Sequence, residues 1–326
     1  MKKILIAYSF LLSTLITVAQ PAATQPPATQ PHYRIYAVRF ASLLKRLPLS
    51  YWVQKAPEKD SVNIDFMVWL IKGDNGKTIL LDAGFQRGLD EQKEFEPFAY
   101  TRPDSALEKL NIHSADITDI IISHPHWDHI DGLNLFPNAH AWMQKDDYAY
   151  YVGSAWQKGG QPGGFAKRDV RMILDYNLAG RLTLVDGDNK EIIPGITVYT
   201  GSRHTFDSQF VVVNTGANPA GPSQSHTGSN PARPSQSHAD ANPASPSQSH
   251  TAAQKVLLAS DNLWVYYSLD HMMPPSEGGA FDNAAFVRSL QRMKTLVADP
   301  KYIIPGHDAT IFTRFPKVAD GIVEIR

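Results

Sequence analysis

Three histidines and an aspartate fall within six positions: His124, His126, Asp128 and His129, in the stretch S-H-P-H-W-D-H-I-D-G at 123–132. Ring nitrogens and carboxylate oxygens are the donors that suit a borderline cation such as zinc when no thiolate is at hand. The spacing is not the helical H-E-x-x-H arrangement. On an extended or tightly turning segment, alternation aims His124 and His126 the same way. Asp128 and His129 then reach a second point nearby. A single histidine on an apolar strand is more often a satisfied core residue, but four donors this close make a metal site the stronger reading. The chain has no cysteine. That removes thiolate ligands, a disulfide framework and a thiol nucleophile. No G-x-S-x-G stretch occurs either, which disfavours a serine hydrolase with a nucleophile elbow.

The elements that must present these donors read as a mixed α/β chain. Ile117 to Ile122 is an apolar run that reads as a buried strand leading straight into the cluster. Arg34 to Phe40 alternates polar and apolar residues, as a half-buried strand does. Asn63 to Lys72 and Thr78 to Asp82 read as a hairpin across Gly73-Asp74-Asn75-Gly76. A helix is expected to begin near Pro103 and Asp104 and to carry Ala106, Leu107 and Leu110 on one face. Asp282 to Ala298 is the clearest helix. Asp282 can cap it, Phe286, Val287, Leu290, Met293 and Val297 line one face, and Pro300 stops it.

Composition bounds the class. Of 326 residues, 43% are hydrophobic and 19% charged, which is globular rather than disordered. A net charge of −1 argues against a nucleic-acid binder, which needs a positive surface. Lys2 and Lys3 precede an apolar run from Ile4 to Val18, too short for a spanning helix, and Thr17-Val18-Ala19 is a small-x-small site. The expectation is therefore a signal peptide at 1–19, export to a periplasm or the exterior, and no membrane association after cleavage. A flexible Pro/Thr/Gln-rich linker is expected at 20–32, followed by one catalytic domain at 33–326.

That domain is interrupted. The unit beginning Asn218-Pro219-Ala220 recurs from Asn230 and Asn242, a period of 12 residues. The unit is too short and too polar to stack as a solenoid. The expectation is a disordered insertion at about 217–254 in a surface hairpin loop, flanked by strands at Phe210 to Asn214 and Lys255 to Ala259. His226, His238 and His250 lie in it. They motivate a non-enzymatic alternative, a metal-binding surface module, although a solvated repeat is the blander reading.

The pattern H-x-H-x-D-H after an apolar strand resembles the metallo-β-lactamase superfamily. Four further stretches resemble it in the expected order: Leu80-Leu81-Asp82-Ala83-Gly84, Gly201-Ser202-Arg203-His204-Thr205, Ala259-Ser260-Asp261 and Ile304-Pro305-Gly306-His307-Asp308. Asp261 follows His204 by 57 positions, and 38 of these belong to the insertion, leaving an ordinary strand–turn–strand. The resemblance implies an αββα sandwich of two mixed β-sheets with helices on the outer faces. It also implies two divalent cations, zinc by preference: His124, His126 and His204 would hold one, Asp128, His129 and His307 the other, with Asp261 bridging. Such a pair would lower the pKa of a shared water towards neutrality and polarise a substrate carbonyl. Asp128 would steer the hydroxide and pass its proton to the leaving oxygen. Asp82 is a plausible partner for the far nitrogen of a ligating histidine.

The superfamily hosts many reactions, so the substrate needs separate evidence. Asp116-Ile117-Thr118-Asp119, Phe136-Pro137-Asn138-Ala139 and Gln144-Lys145-Asp146-Asp147-Tyr148 are similar to the N-acyl homoserine lactonase branch. That likeness implies a small-molecule lactone or ester substrate and a quorum-quenching role. β-Lactams, aryl esters and organophosphates are the alternatives on the same scaffold. Two positions depart from the branch. The Pro-Gly usual before the third histidine is Ser202-Arg203, and Trp264 stands where a tyrosine would donate to the substrate carbonyl. Tyr266 and Tyr267 are candidates to replace that donor. Trp127 and Trp264 adjoin the expected ligands and are placed to wall a pocket, with the glycine-rich loop 159–164 as a possible cover.

Overall fold

The computed structural model describes residues 30–216 and 254–326. The expected signal peptide, nearly all of the linker and the repeat at 217–253 lie outside the described residues.

Two sheets carry the fold. The first runs in the order Lys317–Ala319, Ile322–Glu324, Tyr33–Leu43, Asp65–Gly73, Thr78–Leu81, Asp119–Ile121, His140–Gln144 and Leu182–Val185, with Phe98–Tyr100 paired to Tyr33–Leu43 off that path. The second runs Lys190–Ile193, Ile196–Thr200, Gln209–Asn214, Lys255–Ser260 and Ile303–Pro305. Both mix antiparallel with parallel pairs. Thr78–Leu81, Asp119–Ile121, His140–Gln144 and Leu182–Val185 run parallel, as do Lys255–Ser260 and Ile303–Pro305.

Strand alternation shows how the layers stack. Ile35, Trp69, Ile71 and Leu81 of the first sheet meet Val198, Val211, Val256 and Ile304 of the second in one core between the sheets. Their neighbours Val38, Phe40, Val68 and Leu70 face outward into a second core. Ile130, Leu133, Tyr151 and Ile173, from the helical segments, cover that face. On the far side, Phe210, Val212 and Leu257 pack against Phe286, Leu290 and Met293 of the helix Asn283–Leu296. Helix, sheet, sheet and helix therefore follow one another in four layers. This is the αββα sandwich that the sequence resemblance implied, with mixed sheets and helices outside.

Two expectations need correcting. The first strand is not half-buried. Tyr36, Val38 and Phe40 are covered as well as Ile35 and Ala37, because helices close the face that alternation alone left to solvent. The helix from Pro103 ends at Leu107 and continues only as a tighter turn to Leu110. The late helix keeps its expected cap, with Asp282 accepting from the backbone of Ala284 and Ala285. Gln209–Asn214 and Lys255–Ser260 pair antiparallel up to Asn214 opposite Lys255. The sequence between them therefore leaves and re-enters at one hairpin end. Among the described residues, no helix is long and apolar enough to cross a membrane.

Candidate metal centre

Every metal donor expected from the sequence sits beyond a strand end, in a loop or in one short helix at one edge of the sandwich. His124 and His126 follow Asp119–Ile121 on extended backbone, and Asp128 and His129 open the short helix Trp127–Ile130. Asp261 follows Lys255–Ser260, His307 follows Ile303–Pro305, and His204 lies in the loop after Ile196–Thr200. The donor atoms form two groups, His124, His126, His204 and Asp261 in one, and Asp128, His129 and His307 in the other.

Asp261 joins them. Its Oδ2 lies 3.3 Å from His204 Nε2 and 3.8 Å from His124 Nε2. Its Oδ1 lies 2.9 Å from His307 Nε2 and 3.3 Å from His129 Nε2. Asp128 Oδ2 is 3.3 Å from His129 Nε2 and 3.5 Å from His307 Nε2. One carboxylate thus faces both groups of imidazoles, and the second closes one of them.

The far ring nitrogens are occupied, and that decides what the near ones can do. His129 Nδ1 donates to Asp82 Oδ2 at 2.8 Å, His204 Nδ1 to the Gly279 carbonyl at 2.7 Å, and His307 Nδ1 to the Asp65 carbonyl at 3.0 Å. Carboxylate and carbonyl oxygens only accept, so these rings carry a proton on Nδ1 and turn Nε2 toward the shared carboxylates, where a bound cation would take its lone pair. His124 Nδ1 meets Ser123 Oγ at 2.9 Å. His124 Nε2, His129 Nε2 and Asp261 Oδ1 are buried with no hydrogen-bond partner. Orphaned buried polar atoms are costly. Here they converge as lone pairs, so the residues present fit divalent cations.

Asp82 is the hub behind the donors. Fully buried, it accepts from Ser123 N and Ser123 Oγ at 2.8 and 2.9 Å, from Ser260 Oγ at 2.8 Å, and from His129. The sequence marked Asp82 but not Ser123 or Ser260. Asn262 was also missed. Its Oδ1 accepts from Ser202 N, Ser202 Oγ and Ser208 Oγ, which pins the loop carrying His204. Asp147 holds that loop from the other side, accepting from Thr205 Oγ1 at 2.6 Å. Burial pushes the Asp147 carboxyl up to about 7 despite this bond. Ser123, Asp147 and Ser260 lie inside family-like stretches, but their residue types give no hint of these partners. Only folding brings them to the loop.

Backbone strain gathers at the same edge. Asp82, Arg203 and Ser260 have φ of 61°, 56° and 46°, in the left-handed region that costs a non-glycine residue about 1–3 kcal/mol. Arg203 occupies the position where the resemblance expected glycine, and its φ gives the reason for that expectation.

Electrostatics splits the imidazoles. Burial, then the neighbouring His129, holds His124 well below the usual histidine range. Burial, then His204, takes His126 down to about 3. Burial would depress His129 too, but Asp128, Asp261 and Asp82 outweigh it and hold its pKa well above that range. Burial opposes the charge of Asp261 as well, yet His307 and His129 keep it ionised.

A cavity of about 710 Å³ opens above this floor, lined there by His126, Asp128, His204, Asp261 and His307. Trp127 and Trp264 both wall it, as does Gly163-Gly164 of the glycine-rich loop. Tyr266 and Tyr267 do not replace the expected donor. Tyr266 lies in the core between the sheets under the Arg314 guanidinium, 3.8 Å from its ring centre. Tyr267 stacks on His271 at 4.0 Å and faces a different hollow. The helix Tyr266–His271 turns both rings away from the cavity. Trp264 Nε1 donates to Asp261 Oδ2 at 2.8 Å, so the indole braces a carboxylate. His32, His113, His140 and His271 stand apart from both donor groups.

Residues 67–211 match the family model of the metallo-beta-lactamase superfamily. Among solved structures, the chain is similar to a B. thuringiensis AiiA variant with N-decanoyl-L-homoserine bound at the active site. That match has 16% identity and a TM-score of 0.57, covering 89% of this chain and 98% of that one. It is similar to AidC, a dizinc quorum-quenching lactonase in complex with a product, at 16% identity and TM-score 0.53, covering 86% and 92%. It is also similar to the hydrolase AbOPH of the beta-lactamase superfamily, at 13% identity and TM-score 0.58, covering 92% and 97%. At such identities the likeness is one of fold. No curated protein matches the chain.

Proposed function

We propose, on the match of residues 67–211 to the metallo-beta-lactamase superfamily model, that this chain is a hydrolase working with two divalent cations, zinc by preference, on a small-molecule lactone or ester. N-acyl homoserine lactones are the first substrates to try. The observation that carries this reading is Asp261, whose two oxygens face two separate groups of imidazole nitrogens. His124, His126 and His204 would hold one cation, Asp128, His129 and His307 the other, with Asp261 shared. The cations, when bound, would supply Lewis acidity and a water that loses its proton near neutral pH.

The residues do the rest. Asp128 lines the cavity and is held ionised: burial opposes its charge, but His129 outweighs that. It can take a proton at its carboxylate and return it to a leaving oxygen. Trp264 fixes the Asp261 carboxylate, and Phe66, Trp127 and Trp264 exclude water around the reacting carbonyl. No lysine or arginine lines the cavity among the described residues. A carboxylate-bearing substrate such as a β-lactam would find no basic side chain there, and only the cations themselves could meet its charge, whereas neutral lactones and esters, aryl esters included, need no such partner.

Export is part of the proposal. It rests on Lys2, Lys3 and the apolar run after them. The expected mature N-terminus is Gln20, readable by N-terminal sequencing of protein secreted from an expression host.

The deciding experiment is metal analysis plus a substrate panel on the mature protein. About two zinc ions per chain are expected, with opening of acyl homoserine lactones or cleavage of a simple aryl ester. Cephalosporin or phosphotriester turnover without either would reassign the substrate. Absence of bound metal would end the proposal.

A further inference from the structure

Three segments meet at the mouth of the cavity. The turn Leu49–Trp52 brings Tyr51 and Trp52, the turn Asp90–Phe95 brings Glu94 and Phe95, and the stretch after Pro275 brings Glu277. Main-chain bonds tie the first segment to the third: Ser276 N donates to the Trp52 carbonyl and Gln54 N to the Pro274 carbonyl, both at 3.1 Å. The Trp52 ring centre stands 5.3 Å from Tyr51 and 6.4 Å from Phe95, so the aromatic rings form one rim.

The charge of that rim has one sign. Glu94 and Glu277 are exposed and line the cavity, and no cation lines it among the described residues. Lys93, the basic side chain nearest in sequence, is taken by Asp90 at 2.7 Å. Tyr51 lines the same cavity, its ring left 49% exposed. Burial, and then the charge of Glu94, raises its phenol pKa, so the carboxylate's field reaches the ring. Below the rim lies the metal centre already described, in the same cavity, so a molecule whose far end sits at the mouth reaches the reacting groups. An aromatic face attracts organic cations, and nearby carboxylates add to that pull while repelling anions.

We infer that the mouth is a subsite for an organic ammonium group, bounded by Tyr51, Glu94 and Glu277. The preferred substrates then carry a positive charge at the end remote from the scissile carbonyl. The chemistry at the floor rests on the hydrolase reading above, whereas binding at the mouth does not.

Two measurements on the zinc-loaded full chain test this. In the first, phenyltrimethylammonium, benzyl alcohol and benzoate are titrated against tryptophan fluorescence, which Trp52 and Trp264 report. The ammonium compound is expected to bind about three- to ten-fold more tightly than the alcohol, while benzoate, a carboxylate, reports the zinc ions at the floor and not the mouth. Raising salt from about 50 to 500 mM should compress the difference. In the second, kcat/KM is compared for the choline ester and the 3,3-dimethylbutyl ester of phenylacetic acid, in wild type and in the double variant Glu94→Gln/Glu277→Gln. The cation preference should shrink at least about three-fold in the variant, a change of ratio that cancels the esters' intrinsic reactivities. The alcohol binding as tightly as the ammonium compound, or a ratio unmoved by the double substitution, overturns the subsite. If neither ester is cleaved but the ammonium compound still binds in a salt-dependent way, the subsite stands and the hydrolase reading falls.

Discussion

At the floor of the cavity, most donors are held from behind by groups at the ends of buried strands, and His204 by the Gly279 carbonyl of the loop that also carries Glu277. At the mouth, Tyr51, Glu94 and Glu277 hang from short turns joined by main-chain bonds, and the carboxylates reach into solvent. His129 leans on Asp82, His307 on the Asp65 carbonyl and His204 on the Gly279 carbonyl. The contrast is one of tolerance. Lone pairs aimed at a common point must be placed within a fraction of an ångström, so rigid elements and buried partners carry them. Charge selection at a rim works over several ångströms and survives loop variation.

Five changes would break or sharpen this contrast. Asp261→Asn should be the most damaging, since it weakens the one group that faces both donor groups. Turnover is expected to fall about a thousand-fold, and metal analysis should show at most one ion per chain. Asp82→Asn acts one layer back. Zinc affinity, measured by competition with a chelator, should fall about 10–100-fold while the fold is kept. Gly164→Ala tests how tightly the floor meets its cover. An added Cβ would come within 2.6 Å of the His126 ring, at a backbone φ of 75°. The cost should be about 1–3 kcal/mol in urea unfolding, with kcat/KM reduced about ten-fold.

The smallest effects are expected away from the floor. Deleting residues 217–253 joins Gly216, at φ 71°, to Gln254. Thr215 N already donates to the Gln254 carbonyl at 2.8 Å, and Asn214 pairs with Lys255. The result is a three-residue hairpin loop with a left-handed glycine, an ordinary connection. Tm should move by no more than about 2–4 °C and turnover should persist. Loss of all activity would revive the metal-binding repeat as the functional part. Tyr266→Phe removes a buried hydroxyl without a hydrogen-bond partner, so kcat/KM should stay within about two-fold, with stability equal or higher. A large loss of turnover would restore Tyr266 as a substrate donor.

The donors were legible in the sequence because each lies in a short, dense or family-like stretch: S-H-P-H-W-D-H, A-S-D, P-G-H-D. A ligand type and its local spacing survive translation into one dimension. The strands behind them were legible for a similar reason, since an apolar run records burial directly. What alternation left open was whether a second layer covers a strand. The segment 34–40 looked half-buried until helices closed its other face.

Chain composition and local pattern alone marked the cluster His124 to His129, the absence of thiolate chemistry, the strand–cluster order and the 12-residue repeat, and the family resemblance added His204, Asp261 and His307. The tertiary structure decided the rest. It showed that Asp261 faces both groups, that Asp82, Ser123 and Ser260 share one hydrogen-bond hub, and that Trp264 braces a carboxylate while Tyr266 and Tyr267 turn away. The reason is physical. A side chain's type is local, but its direction depends on backbone dihedrals and on neighbours tens to hundreds of positions away. The two oxygens of one carboxylate acquire different partners only when separate strand ends arrive at the same edge.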